Sequence, residues 1–235
     1  RDFAAAGRYY LQAAEAGHLA SMTRYALFAK DGIGLPRDEA LAAKWFEKAA
    51  DGGQEAAMTN LGSLYEAGRG VKQNDAEAAR WYRRAVDKGQ VFAMHRLALL
   101  YEGGRGVTKD DQEAVLLLEQ ASEKGLSEAT SWLADKYEHG RGIPKNQREA
   151  DRLHARAPEQ VRAAAGQGNA VATFNLGILY RLGKGVKKSD TEAAHWVVRS
   201  LRLGDKYLVS ELMRNPNVLS EADRRWLQRV LRDEG

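Results

Sequence analysis

Five histidines, no cysteine and a set of Gly-x-Gly loops are the residues of this 235-residue chain from which chemistry would have to come. His18, His95, His139, His154 and His195 stand at unrelated spacings. None forms His-x-x-x-His or His-Glu-x-x-His, the pairs that put two imidazoles on one helical face to hold zinc. Without cysteine there is no thiolate ligand, no thiol nucleophile and no disulfide. Neither Ser-x-x-Lys nor Gly-x-Ser-x-Gly occurs, so a serine nucleophile has no support. Acidic pairs such as Asp110/Asp111 fall at loop or cap positions, where capping of a helix explains them better than acid-base chemistry. The loops Gly68/Gly70/Val71, Gly104/Gly106/Val107, Gly140/Gly142/Ile143 and Gly183/Gly185/Val186 lack the Gly-Lys-Ser/Thr of a phosphate cradle and follow helical rather than strand patterns. The expectation is a protein that is not an enzyme and has no cofactor or metal.

The loops are informative as a ruler instead. With a weaker copy at Gly32/Gly34/Leu35, they recur at 32, 68, 104 and 140, a constant period of 36 residues. A period of that size signals stacked supersecondary units, each burying its apolar face against its neighbours, which makes an elongated array rather than a closed core. The composition, 44% hydrophobic and 29% charged with four prolines, is that of a folded chain. Its 36 basic and 32 acidic residues are interspersed, leaving a net charge of +4 and no clustered basic stripe, which argues against a nucleic-acid surface. No apolar run reaches the length of a membrane helix, so direct membrane insertion is not expected.

Residues 57 to 92 serve as the type unit. Ala57, Leu61, Leu64 and Tyr65 keep the three-to-four spacing of one helical face. Gly62 within that face admits a close second helix, and Gly68 ends the first helix in the left-handed conformation. Asp75 is the expected N-cap of a second helix, whose buried stripe is Ala78, Ala79, Trp81, Tyr82 and Ala85. The second-helix aromatic position reads Trp45, Trp81, Leu117, Leu153 and Trp196, which are core positions. Helix, short loop, helix and the turn at Gly89 make an αα-hairpin.

The pattern Ala57-x-x-x-Leu61-Gly62-x-x-Tyr65-x-x-Gly68-x-Gly70-Val71, followed by Ala78-x-x-Trp81-Tyr82-x-x-Ala85 and Gly89, resembles the Sel-one-like repeat, a relative of the tetratricopeptide repeat with a longer loop between its helices. The resemblance covers about residues 20 to 205. Ala26, Ala98 and Ala134 replace the glycine at Gly62, and Leu117 and Leu153 replace the tryptophan. It implies an all-α, right-handed superhelical solenoid of αα-hairpin repeats over 1–235. The expected parts are the second helix of a truncated repeat over 2–17, then repeats at about 20–55, 56–91, 92–127, 128–171 and 172–205, with capping helices at 206–232.

Three irregularities stand out. Residues 2 to 17 align with 74 to 89, so the chain opens on a second helix, which predicts a fragment of a longer protein. The interval from Gly142 to Gly185 is 43 residues, and the excess falls in Pro158-Glu159-Gln160-Val161-Arg162-Ala163-Ala164. Seven residues are nearly two helical turns, so Leu153, Ala157, Val161, Ala164 and Ala165 stay in phase. Pro158 is expected to kink that helix or to begin a new one, and the insertion suits a binding face as well as a spacer. After Gly204, Leu208 and Leu212 keep the spacing, Asn215-Pro216-Asn217 turns the chain, and Ser220 with Asp223 opens a helix around Trp226, Leu227, Val230 and Leu231. Trp226-Leu227-Gln228-Arg229-x-Leu231-x-x-x-Gly235 is also similar to the opening of bacterial peptidoglycan-binding domains, though an amphipathic helix explains it too.

Two rows of side chains are candidate partner surfaces. Arg69, Arg105, Arg141 and Lys184 stand between the loop glycines and form either a cationic edge or a series of local ion pairs. The resemblance implies a concave groove lined by the first helices, at Thr23, Arg24, Thr59, Asn60, His95, Arg96, Ser131, Trp132, Phe174 and Asn175, with Trp132 equally readable as core. Arg, Asn and Trp there suit an extended peptide. The function implied is a non-enzymatic scaffold for a protein or peptide partner in a bacterial assembly, envelope or signalling complex, with a periplasmic or envelope setting favoured over the cytoplasm. The alternative is a spacer or recruitment module of a larger envelope protein beside a peptidoglycan-binding or enzyme domain, with glycan as the partner.

Overall fold

The computed structural model describes residues 2–183 and 185–203, together with 225, 226, 228, 229 and 232. Among the described residues there are eleven helices and no strand: α1 (Phe3–Glu15), α2 (Leu19–Asp31), α3 (Glu39–Asp51), α4 (Glu55–Ala67), α5 (Asp75–Asp87), α6 (Val91–Gly103), α7 (Asp111–Glu123), α8 (Ser127–His139), α9 (Gln147–Gly166), α10 (Ala170–Leu182) and α11 (Asp190–Arg202). Lys184, the turn at 215–217, and Leu208, Leu212, Ser220, Asp223, Leu227, Val230 and Leu231 of the expected cap lie outside the described residues. The chain forms two compact units, Arg1–Lys124 with Arg141–Pro144, and Gly125–Gly140 with Lys145–Gly235. Within each, every helix packs on those before and after it in sequence.

Side chains at a 36-residue period start the second helices. Asp2, Asp38, Asn74, Asp110 and Asn146 each accept hydrogen bonds from the first-turn amides of the helix that follows. The cap is therefore Asn74, and Asp75, expected in that role, is the first helical residue beside it. The first helices end on glycine: Gly32, Gly68, Gly104, Gly140 and Gly183 all occupy the left-handed region. The first unit's core is small and aromatic by turns. Gly62 shows why: a Cβ there would stand 2.8 Å from the ring of buried Tyr82 on α5, so the missing side chain is what lets α4 and α5 meet.

The second loop glycine does something different from the first. A Cβ on Gly70 would lie 2.2 Å from the Glu39 carbonyl at the start of α3, and one on Gly106 2.2 Å from the Asp75 carbonyl carbon at the start of α5. Gly34 meets Phe3, and Gly142 meets Asp111, in the same way. Each loop thus lies backbone-to-backbone on the first residue of the preceding repeat's second helix, and this contact fixes the inter-repeat register. Gly89 has positive φ too, but nothing stands within 4 Å of where its Cβ would be. Gly89→Ala should therefore cost about 1–2 kcal/mol of left-handed strain, whereas Gly106→Ala should add about 1–3 kcal/mol of overpacking. Equal urea midpoints for the two variants would refute the docking role of Gly106.

In the second unit α9 departs from the rule. The other helices are 13 residues long, whereas α9 has 20, the excess being the seven-residue insertion. The helix runs unbroken through Pro158, so the proline does not begin a new one. Leu153, Ala157, Pro158, Val161 and Ala165 are buried along one face, while Ala164 is only half-buried. The next loop registers the change: Gly185 meets not the first residue of α9, Gln147, but the His154 carbonyl and the Pro158 ring, seven residues further on. Pro158 has no N–H to give to the His154 carbonyl four residues back.

Candidate functional site

Three of the loop cations, Arg69, Arg105 and Arg141, are paired within the molecule. Arg69 grips Glu39 at 2.6 Å, Arg105 reaches Glu66 at 2.8 Å and Asp75 at 3.9 Å, and Arg141 stands 3.7 Å from Glu102. Each carboxylate belongs to the preceding repeat, so these three arginines reinforce the contact made by the adjacent glycine and form the local ion pairs that stood as the alternative to a cationic edge. Arg69 and Arg37, both donating to the carboxylate, hold the Glu39 carboxyl down at about 2 against the opposing effect of burial.

The first-helix row splits in two. Thr23, Thr59, His95 and Phe174 are buried, Phe174 to 1% exposure, and are withdrawn from the partner-facing set. Thr23 and Thr59 turn their hydroxyls back onto the carbonyls of Leu19 and Glu55, one helical turn earlier. The spacing put two adjacent residues on the groove, but on a helix neighbours are about 100° apart, and in four of the five pairs the earlier one falls on the packed side, Ser131 being exposed. Of the remaining positions, Arg24 is exposed, and Asn60 is half-buried with its amide donating to the Ala56 carbonyl. Arg96 is taken up by Glu66. Arg24 in the first unit and Ser131, Trp132 and Asn175 in the second are left.

Ser131 and Asn175 line one cleft there. Its inner part, about 250 Å³, runs between the start of α8, the inserted turns of α9 at Gln160, Val161 and Ala164, and the start of α10 at Asn169 and Ala172. Its outer part, about 230 Å³, continues past Ser131 and Ala157 to Ile178, Leu179 and Leu182. Ser127, Glu128, Val161 and Asn175 belong to both parts. Thr130 pins the floor by donating to the Gln160 side-chain oxygen at 2.7 Å. The walls combine hydrogen-bonding groups with aliphatic surface, the makeup of a site for a peptide or another small polar-apolar ligand. Among the described residues no three His, Cys, Asp or Glu side chains group as a metal site, and no helix is long and apolar enough to cross a membrane.

The sequence model of the Sel1 repeat matches residues 1–18, 19–54, 55–90, 91–126, 127–157 and 170–205, most of the chain, and breaks off where the insertion lies. The chain belongs to the Sel1 repeat family. Among solved structures it is similar to a Sel1 repeat protein from Oxalobacter formigenes, at 33% identity and TM-score 0.64, over 84% of this chain and 76% of that one. It is also similar to c5321, a protective antigen of uropathogenic Escherichia coli displaying an SLR fold, at 24% identity and TM-score 0.64, over 99% of this chain and 57% of that one. The immunity protein Pa5087 of Pseudomonas aeruginosa aligns at 20% identity and TM-score 0.54, over 86% of this chain and 75% of that one. The last two likenesses are of fold. No curated protein matches. The fold is thus an all-helical Sel1 solenoid, and Sel1 repeat proteins generally mediate protein–protein interactions as non-catalytic scaffolds.

Within this Sel1 array one buried polar network is a feature that spacing did not point to. Glu66, near the end of α4, is 7% exposed and accepts from Tyr82 at 2.9 Å, from Arg96 at 2.6 Å and from Arg105 at 2.8 Å, while Tyr82 also meets Ser63 at 3.0 Å. Burial alone would raise the Glu66 carboxyl, but the two guanidinium groups outweigh it and hold it below the usual carboxylate range. Burial drives the Tyr82 hydroxyl up to about 12, so it serves as a donor at any ordinary pH. Tyr82, Arg96 and Arg105 follow Glu66 by 16, 30 and 39 residues, a set with no repeat elsewhere in the sequence to flag it, so it shows only once the helices are stacked.

Proposed function

We propose that this Sel1 array is a non-enzymatic scaffold that holds a protein or peptide partner against the exposed side of its first helices, with the cleft between α8, α9 and α10 as the principal contact. The observation that carries the reading is Asn175. Its half-buried amide makes no hydrogen bond to a described residue, unlike that of Asn60, and it borders both parts of the cleft. An uncommitted amide between aliphatic walls can donate to and accept from the backbone of an extended peptide while its side chains enter the apolar part. A setting in a bacterial assembly, envelope or signalling complex is consistent with the bacterial relatives. Trp226, from which a glycan-binding reading would start, is buried with Arg181 over its ring at 5.3 Å, which removes that ring from a glycan surface.

The test is selection of twelve-residue peptides from a random display library on the intact chain, followed by anisotropy titration of the best one with a fluorescein label. Asn175→Ala should weaken binding about tenfold, the worth of one or two hydrogen bonds, with the helical circular dichroism unchanged. An unaltered affinity would sink the cleft as the principal contact.

A further inference from the structure

Four of the five tryptophans carry a cation from within the molecule. Lys48 lies 4.6 Å from the ring centroid of Trp45, Arg84 4.3 Å from Trp81, Arg199 5.2 Å from Trp196 and Arg181 5.3 Å from Trp226. In three of these the cation comes three residues after the tryptophan, so the pairing is built into the second helix. Trp132 is the exception. It sits on α8, a first helix, is 39% exposed, and has no cation over its ring among the described residues. Where the others have Lys or Arg three residues on, it has Asp135, and one turn before it stands Glu128.

Among the described residues Glu128 is the one charged side chain lining either part of the cleft, and its partner is the neighbouring Ser127 hydroxyl at 3.0 Å rather than a cation. Asp135 holds His139 at 3.0 Å. An exposed indole that follows Ser131 in sequence and stands one helical turn after Glu128, both of which line the outer part of the cleft with Leu182, forms an incomplete version of a pairing that the other tryptophans complete within the molecule.

We infer that the partner supplies the missing cation: the cleft takes an extended peptide in which a lysine or arginine lies over Trp132 beside Glu128, next to an aliphatic residue received by Ile178, Leu179 and Leu182. The aliphatic side chain is drawn in by burial, and the basic one by cation–π and ionic attraction at the rim. The seven inserted residues make the site particular to this repeat, since Gln160, Val161 and Ala164 form its floor. This inference rests on the scaffold reading above and deepens it.

The experiment uses the same random twelve-residue library on the intact chain. The selected peptides should share a Lys or Arg beside Leu, Ile or Val. Replacing that basic residue by norleucine in the labelled peptide should weaken binding about fivefold for the wild type. The same change should have little effect once the protein carries Glu128→Gln or Trp132→Leu, both surface substitutions. Leu182→Arg should abolish binding through the apolar end without disturbing the fold. Peptides that bind but lack a basic residue, or that ignore all three protein substitutions, would overturn this inference and leave a scaffold with its site elsewhere. No selected peptide at all would overturn the scaffold reading with it.

Discussion

Replacing Trp81 by alanine lowers the unfolding free energy by about 3–5 kcal/mol, the expected result for a large buried aromatic removed from a core that cannot collapse onto the gap. Trp81 is 2% exposed on α5, which packs between α4 and α6, and Arg84 and Arg80 cover its ring at 4.3 and 5.4 Å. In a linear array a defect in one unit removes the support of both neighbours, so the loss should reach α4 and α6 in hydrogen exchange. The indole N–H is buried and donates to no described acceptor, so Trp81→Phe gives up little polar energy and should cost only about 1 kcal/mol. Urea unfolding followed by circular dichroism measures both. A shift below about 1 kcal/mol for the alanine variant would place Trp81 outside the core.

The second large effect is at Glu66. Glu66→Ala strands the half-buried Arg96 and leaves the Tyr82 hydroxyl with Ser63 alone, and removal of one partner from a buried ionic network costs about 3–5 kcal/mol. The same group gives the protein an acid sensitivity of known sign. The folded carboxyl titrates below its ordinary value of 4.5, so over that window the unfolded chain binds more protons, and stability is present above pH 4.5 and lost as the pH falls. Glu39, held at about 2, extends the loss in the same direction. Urea midpoints should therefore fall between pH 4.5 and 2, and less steeply in Glu66→Gln than in the wild type. Parallel slopes would show that the network does not carry the acid sensitivity.

Much of the fold was legible because glycine and proline report backbone demands directly. Gly68 was read as a helix stop from its type and position, and it is one. Gly62 was read as a close-approach point, and the Tyr82 ring stands there. The insertion was read as two turns in phase, and α9 is continuous. What was not legible depends on which of two adjacent residues a helix turns inward. Thr59 and Asn60 differ little in type, yet one is packed and the other only half-buried, because the helix holds them about 100° apart and its packing against neighbouring helices decides which turns inward. The arginines at 69, 105 and 141 were visible as a row, but not their carboxylates, which lie 30 or 39 residues back. The cleft was the least legible part. It needs the inserted turns of α9, the start of α8 and most of α10 together, and no single repeat contains them.

The seven-residue displacement of the Gly185 contact along α9 also bears on how such arrays vary. Seven residues advance a helix by about 10 Å and turn it by only about 20° from two full turns. The repeats after the insertion are thus translated along α9 while presenting nearly the same face, as in a dislocation, where one part of a lattice slips by a whole spacing and order resumes beyond it. Insertions of four or five residues would turn the buried stripe by about 40° or more and break the order. A Sel1 array can therefore change its outline in steps of two turns at little energetic cost, and each such step leaves behind a notch like the one lined here by Gln160 and Asn175.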